Sequence, residues 1–411
     1  MPKAARRGAR PVPGAGRAVV AAIAVTTATV MPVFLVSGLV VQIGAELGFT
    51  AAGLGLAVAA YFGTSALTSV PSGWLVERFG ARVTSQAGVL LAVASMLCIG
   101  LGARSYATLV AALVIGAGAN ALGQLATNSA LSRHIPAHRQ GLSFGLKQAA
   151  IPAATLIAGA AVPGVALTVG WRWAFVMAAA LALAAMAAAP RGQAGARPRR
   201  EAGDLDRATA ALVVVGTGGA FAAASASCLG IFLVDSAVDQ GVGAAAAGLT
   251  LAFGSIVGVT ARVLAGWLAD RRSGGHIAVV AGMLTAGALG PALLAVGSTT
   301  TLLLGTAVGY GLGWAWPGLL NFAVVRLHPA APAAATSITQ AGIYVGGFVG
   351  PIGFGLLAAS GSYPMAWLAA AAGLVIAGSL MMLGRRMLRA HPATRAAAQR
   401  HRAAAMPPGA G

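Results

Sequence analysis

Lys147 and Arg262 are cations set deep inside apolar sequence. A charge is costly in an apolar interior, so an ionisable residue there is a candidate for function. Lys147 adjoins Gln148, and no acidic residue lies near it in sequence. Turned to a cavity, its ammonium would neutralise a carboxylate or a small inorganic anion. Turned to lipid, it would snorkel toward the nearer interface. The neighbouring Gln148 and the missing acid favour the cavity. Arg262 precedes Asp270 by eight residues, about two helical turns, and serves either a substrate or a gate at that end. If both cations face one cavity, the site selects anions.

Uncharged polar residues extend this pattern. Asn120, Gln124 and Asn128 recur every four residues, which puts them on one helix face. Tyr310, Trp314, Pro317 and Asn321 form a counterpart face, and Gln340 and Tyr344 share a third. For each aromatic residue, packing is the commoner role and walling a substrate the rarer one. The 8 carboxylates all fall at the ends of apolar runs or between them. The 6 histidines fall on one expected side, so no buried acid or imidazole stands ready to relay a proton. Lys147 itself remains as a proton-exchanging group, and facilitated diffusion and anion exchange stay open. No metal-ligand cluster, nucleophile–base arrangement or Gly-Lys-Ser/Thr phosphate loop is present. The expectation is therefore no enzyme, no metal and no cofactor. Cys98 and Cys228 read as packing thiols inside apolar runs.

The elements that must hold these residues are membrane helices. Of 411 residues, 58% are hydrophobic and only 9% charged, against about 25% charged in a soluble domain. Apolar runs cover about 18–43, 51–72, 82–102, 106–131, 141–168, 171–189, 209–234, 243–268, 277–296, 299–325, 333–358 and 363–384. Each can cross a hydrocarbon core of ~30 Å as a helix. With the N-terminus in the cytoplasm, nearly all the basic residues fall inside, and the outer loops hold only Arg104 and Arg172. This positive-inside pattern puts both termini inside. The net charge of +19 is then topological, with anionic lipid rather than nucleic acid as its neighbour.

The expected organisation is a basic N-terminus (1–17), a six-helix bundle (18–189) and a cytoplasmic linker (190–208). A second six-helix bundle (209–387) and a basic tail (388–411) follow. The halves repeat. Gly73-Trp-Leu-Val-Glu77-Arg78 matches Gly266-Trp-Leu-Ala-Asp270-Arg271. Asn128 matches Asn321, Arg133 matches Arg326, and Pro136 matches Pro329, all at an offset of 193. Gln148-Ala-Ala-Ile151 matches Gln340-Ala-Gly-Ile343 one residue off that register. Parallel six-helix repeats of this kind belong to transporters.

These residues resemble the major facilitator superfamily. Its loop hallmark, G-x-x-x-[DE]-R-x-G-x-[RK], reads here as Gly73, Glu77, Arg78, Gly80 and Arg82. The second copy is Gly266, Asp270, Arg271 and Arg272. The resemblance implies an all-α membrane protein of twelve transmembrane helices in two pseudo-symmetric six-helix bundles. It also implies a monomer of the cytoplasmic (inner) membrane that works by alternating access. Helices one, four, seven and ten would line the cavity. Glu77 and Asp270 would close a cytoplasmic gate against a basic residue or a helix N-terminus, with Arg133 and Arg326 as candidate partners. The bland alternative is that these charges merely anchor the loops. Gly-Leu-Lys-Gln at 145–148 and Gly170-Trp-Arg-Trp173 resemble permeases of the cyanate and organic-anion type. The expected function is uptake of a small organic or inorganic anion. Efflux of hydrophobic drugs is the alternative, favoured by the aromatics of helix ten and the glycines of helix eleven. A membrane sensor or a channel has no comparable support.

Overall fold

In hydrocarbon, a helix satisfies every backbone N–H and C=O within its own segment. The computed structural model describes residues 15–49, 51–188, 209–329, 331–359 and 363–390, and these are helical with short connections. The first half runs α1 (Ala15–Gly38), α2 (Val40–Leu47), α3 (Ala51–Phe79), α4 (Ala81–Leu97), α5 (Tyr106–His134), α6 (Gln140–Ala161) and α7 (Trp171–Ala188). The second runs α8 (Thr209–Asp239), α9 (Ala244–Asp270), α10 (His276–Gly287), α11 (Leu289–Leu294), α12 (Thr299–Val308), α13 (Pro317–Leu327), α14 (Pro332–Ala359) and α15 (Tyr363–Ala390). Taking α1–α2, α10–α11 and α12–α13 as single crossings gives twelve, six in each half. The expected linker at 190–208, most of the N-terminal segment and most of the tail lie outside the described residues.

The duplication reaches the helix caps. Ser105 caps α5 and Ser298 caps α12, each in a reciprocal box with the threonine three residues on. Leu67 and Leu249, 81% and 72% exposed, stand on an outer surface that is apolar all round. Such a surface suits acyl chains and not water. Cys98 is also exposed, which corrects its reading as a packing thiol; Cys228 is buried. The reason is facial. Cys98 begins a π turn (Cys98–Gly102) that packs through Ile99 and Gly100 and turns the thiol outward.

The tenth crossing departs from the expected continuous helix. α12 runs into a π turn (Gly309–Gly313), a non-helical step follows, and α13 begins at Pro317. Proline lacks the N–H that would continue the ladder and is suited to a first helical turn. The expected single face of Tyr310, Trp314, Pro317 and Asn321 is therefore split between the π turn, the break and α13. The ninth crossing breaks opposite, at Ala288. There Gly287 and Gly290 lie against the backbone of Gly313 and Gly309, closer than any side chain would permit.

At the end opposite the duplicated motif, α2 is tied to α7. Glu46 Oε2 accepts from Trp171 Nε1 at 2.7 Å, and its other oxygen accepts from Arg172. Arg172 also donates to the Ala103 carbonyl at 2.8 Å. The Arg172 and Trp171 hydrogen bonds hold the Glu46 carboxyl below its ordinary value. A depressed carboxylate contributes stability above the unfolded-state pKa, about 4.3 for glutamate, and loses it as pH falls through the native value. Glu46→Gln is thus expected to lower the melting temperature slightly at neutral pH. In acid the two proteins should melt together. Thermal scans across the carboxylate range check this; a gap that persists in acid would mean the ion pair is not its source.

Candidate substrate site and gate

The motif end is where the halves meet. Gly73 on α3 faces Ser337 on α14, and an added Cβ would lie 2.7 Å from the Ser337 Cβ. Ser69 Oγ donates to the Ser337 carbonyl at 3.0 Å. Farther along the same pair, the Phe62 ring stacks on Tyr344 at 6.2 Å. The second seam is α6 against α9. A Cβ on Gly141 would lie 2.5 Å from the Gly266 carbonyl, and one on Gly266 would land on the Gly141 carbonyl. Gly145 leaves the same kind of space for the Arg262 carbonyl.

Each motif carboxylate caps a helix of the other half. Glu77 Oε1 accepts from the Ala333 N–H at the start of α14 at 3.0 Å. Its Oε2 pairs with Arg133 Nη2 at 3.1 Å. Asp270 accepts from Gly141 N at 2.6 Å and from Leu142 N at 2.8 Å, at the start of α6. Helix N-termini leave N–H groups without internal acceptors and carry partial positive charge, so a carboxylate there satisfies both needs. Arg133 is the expected partner of Glu77. Arg326 acts on Asp270 through charge alone and makes no ion pair with it: both carboxylate oxygens are taken by α6, and the Arg326 guanidinium lies over the Phe322 ring at 5.4 Å. Arg78 and Arg271 stack on Trp74 and Trp267, at 5.1 and 3.5 Å, and so repeat one cation–π pair in both halves. Gly80 has φ +84°, the left-handed region that favours glycine, and Arg82 is exposed in the first turn of α4.

Toward the middle of the membrane lie the two buried cations. Lys147 is fully buried on α6. Its Nζ donates to Gln124 Oε1 at 2.5 Å, to Asn128 Oδ1 at 2.7 Å and to the Gln124 carbonyl at 3.3 Å. Arg262 on α9 is 2% exposed. Its Nη2 and Nε donate to the Trp314 carbonyl at 2.9 and 3.3 Å, and its Nη1 crosses the seam to the Gln148 carbonyl at 3.1 Å. The Trp314 ring lies 5.3 Å beneath the guanidinium. The broken tenth crossing supplies that carbonyl, because residues 314–316 have left the helix. Every acceptor of the two cations is a neutral oxygen, so neither charge is cancelled.

Polar atoms without partners surround them. Asn128 Nδ2, Gln148 Oε1, Asn120 Oδ1, Trp316 Nε1 and both amide atoms of Asn321 are buried and make no hydrogen bond. Buried polar groups are seldom left open in this number. Asn120 makes one long contact, Nδ2 to Ser65 Oγ at 3.5 Å. Gln340 and Tyr344 are buried on α14. Tyr310 packs its ring under Gly254, contacts Trp314 edge-on at 5.2 Å and donates to the Leu229 carbonyl at 3.2 Å. It is thus held inside the second bundle. The Ser69 and Ser65 contacts and the backbone N–H of Ala333 were not expected from sequence. A serine within an apolar run could have marked the first two, and a backbone N–H carries no mark in sequence.

The sequence profile of the Major Facilitator Superfamily matches residues 19–213 and 215–407. The chain belongs to that superfamily. It is a multi-pass membrane transporter and not an enzyme. A chloramphenicol resistance protein of Streptomyces lividans is 30% identical over 337 residues, 78% of this chain and 83% of that protein. Among solved structures, the proton:xylose symporter XylE bound to 6-bromo-6-deoxy-D-glucose superposes with a TM-score of 0.75 at 15% identity, over 90% of this chain and 95% of that one. The human organic anion transporter MFSD10 gives 0.66 at 15% identity, over 92% and 100%. At such identities these structures speak for the fold of the transporter alone.

Proposed function

We propose that this transporter carries a small organic or inorganic anion into the cell across the cytoplasmic membrane, by alternating access, as a monomer with both termini inside. The observation that carries the reading is the pair of buried cations, Lys147 and Arg262, held only by neutral oxygens. In a medium of low dielectric, two uncancelled positive charges favour an anion strongly. Open amide groups at Asn128, Gln148 and Asn321 would take the remaining polar atoms of the substrate, with Asn120, Gln124, Tyr310, Trp314, Gln340 and Tyr344 around them. Glu77, Asp270, Arg78, Arg82, Arg133, Arg271 and Arg326, with Gly73, Gly80 and Gly266, form the gate in this reading, supported by the two carboxylate caps that join the halves. The concentration of basic residues at this end supports its cytoplasmic placement.

The test is Lys147→Met in proteoliposomes, with uptake of mono- and dicarboxylates, nitrate and cyanate measured beside wild type. Methionine keeps the volume but leaves Gln124 Oε1 and Asn128 Oδ1 without their donor, so a thermal scan beside the uptake assay separates lost binding from lost fold. Loss of one of two desolvated charges should cost on the order of 3 kcal/mol in anion binding, about a hundredfold in affinity. Unchanged uptake of every anion tried would remove Lys147 from the site.

Efflux of lipophilic drugs is the second reading. It is favoured by the similarity to the Streptomyces lividans chloramphenicol resistance protein. Drug resistance conferred on a sensitive host, indifferent to Lys147→Met, would decide for it.

A further inference from the structure

A cleft of about 220 Å³ opens at the motif end between α10, α13 and α15. Its walls include His276, Arg326, Arg385 and Arg389, with Gly274 and Gly275 at the base. Among the described residues, none of the three arginines makes an ion pair. Among the described residues, the carboxylate at this end of the second bundle is Asp270, and both its oxygens are engaged by α6.

We propose that this cleft binds a phosphate group, carried either by the headgroup of an anionic lipid or by free phosphate.

Four features converge on that chemistry. His276 is 8% exposed, yet neither ring nitrogen has a hydrogen-bond partner. Its ring meets the Phe322 edge at 4.8 Å and is fixed in place. A buried imidazole with two open nitrogens calls for a partner from outside the chain. Arg385 Nε is likewise buried and open. Guanidinium groups match phosphate oxygens in a fork geometry, and three of them line one cleft. Finally, α10 starts here without a side-chain cap, its N-cap being Gly275 at φ +76°. The start of this twelve-residue helix, whose Gly275, His276 and Ile277 line the cleft, brings the positive end of its dipole there, which suits an anion.

The duplication sharpens the point. In the first half the matching arginine, Arg133, is neutralised by Glu77 at 3.1 Å. In the second half Asp270 accepts its hydrogen bonds from α6 and makes no ion pair with Arg326, whose guanidinium lies over the Phe322 ring. The arginine that is directly paired in the first half keeps its hydrogen-bond donors open for a ligand in the second.

The full chain is reconstituted in phosphatidylcholine nanodiscs with a minor fraction of phosphatidylglycerol, and retained lipid is read by native mass spectrometry. In parallel, thermal stability in detergent is measured with inorganic phosphate against chloride at equal ionic strength. Arg385→Gln/Arg389→Gln removes two cleft charges. Arg17→Gln/Arg139→Gln removes the same charge from elsewhere. Wild type is expected to retain one phosphatidylglycerol per chain, with affinity falling roughly tenfold or more in the cleft variant and unchanged in the control. Stabilisation by phosphate without lipid preference, lost in the cleft variant, identifies free phosphate as the source. His276→Phe supplies the same comparison if the double variant does not fold. Equal losses in cleft and control variants, or no response to either probe, would overturn the proposal.

Discussion

Gly266→Val is expected to abolish transport while leaving both bundles folded. Gly266 sits where α9 touches α6, and its added Cβ would land on the Gly141 carbonyl. Backbone cannot yield as a flexible side chain can, so the two helices must separate. That separation spares the first-half cluster around Leu39, Tyr61 and Phe175 and loosens only the edge of the second-half core, to which Phe144 of α6 and Ala269 of α9 both belong. The closed arrangement seen here becomes inaccessible, and a carrier that cannot adopt one of its two states completes no cycle. Uptake should fall to background while circular dichroism stays that of the folded helical protein, with a modest fall in melting temperature from the loosened seam. Gly282→Val on α10 is the control, because nothing lies within 4 Å of its added Cβ. Full transport by Gly266→Val would mean that the α6–α9 seam does not close during turnover.

Asp270→Asn should act on the same seam through charge. The side chain keeps its shape, but one carboxylate oxygen becomes an amide that faces an N–H. Hydrogen bonds to a charged group contribute ~1.5–3 kcal/mol. Losing about 2 kcal/mol from the closed state shifts the balance between states about thirtyfold. Alkylation of Ser143→Cys, placed at a buried site on α6, reads the opening. It is done in a Cys98→Ser background, since Cys98 is exposed and Cys228 is buried. Faster alkylation in Asp270→Asn is expected, with slower transport. Equal alkylation would show that the Asp270 contacts to Gly141 and Leu142 do not hold the seam.

The sequence was legible wherever chemistry repeats along the chain. Hydropathy gave the crossings, and the offset of 193 gave the halves, because duplicated residues keep their spacing even where packing differs. Lys147 and Arg262 stood out because charge in apolar sequence is conspicuous. Their partners were hidden for a physical reason. The acceptors of Arg262 are the Trp314 and Gln148 carbonyls, and those of Asp270 are met by backbone N–H groups, which every residue carries. Such groups leave no mark in a sequence. The break before Pro317 was written in Gly309, Gly311, Gly313 and the proline, but membrane helices tolerate both residue types, so the signal was weak. Glu46 and Arg172 are 126 residues apart, and nothing local joins them.

The broken tenth crossing has a kinetic consequence. Its counterpart in the first half, α5, is one continuous helix of 29 residues. Two identical parallel halves, related by an axis along the membrane normal, would flex alike whichever way the site opens. Here one half can bend between α12 and α13, with Arg262 gripping the joint, and the other cannot. Opening is therefore expected to be led by the α12–α13 joint, and spin labels on α13 should report a larger and earlier displacement than labels on α5.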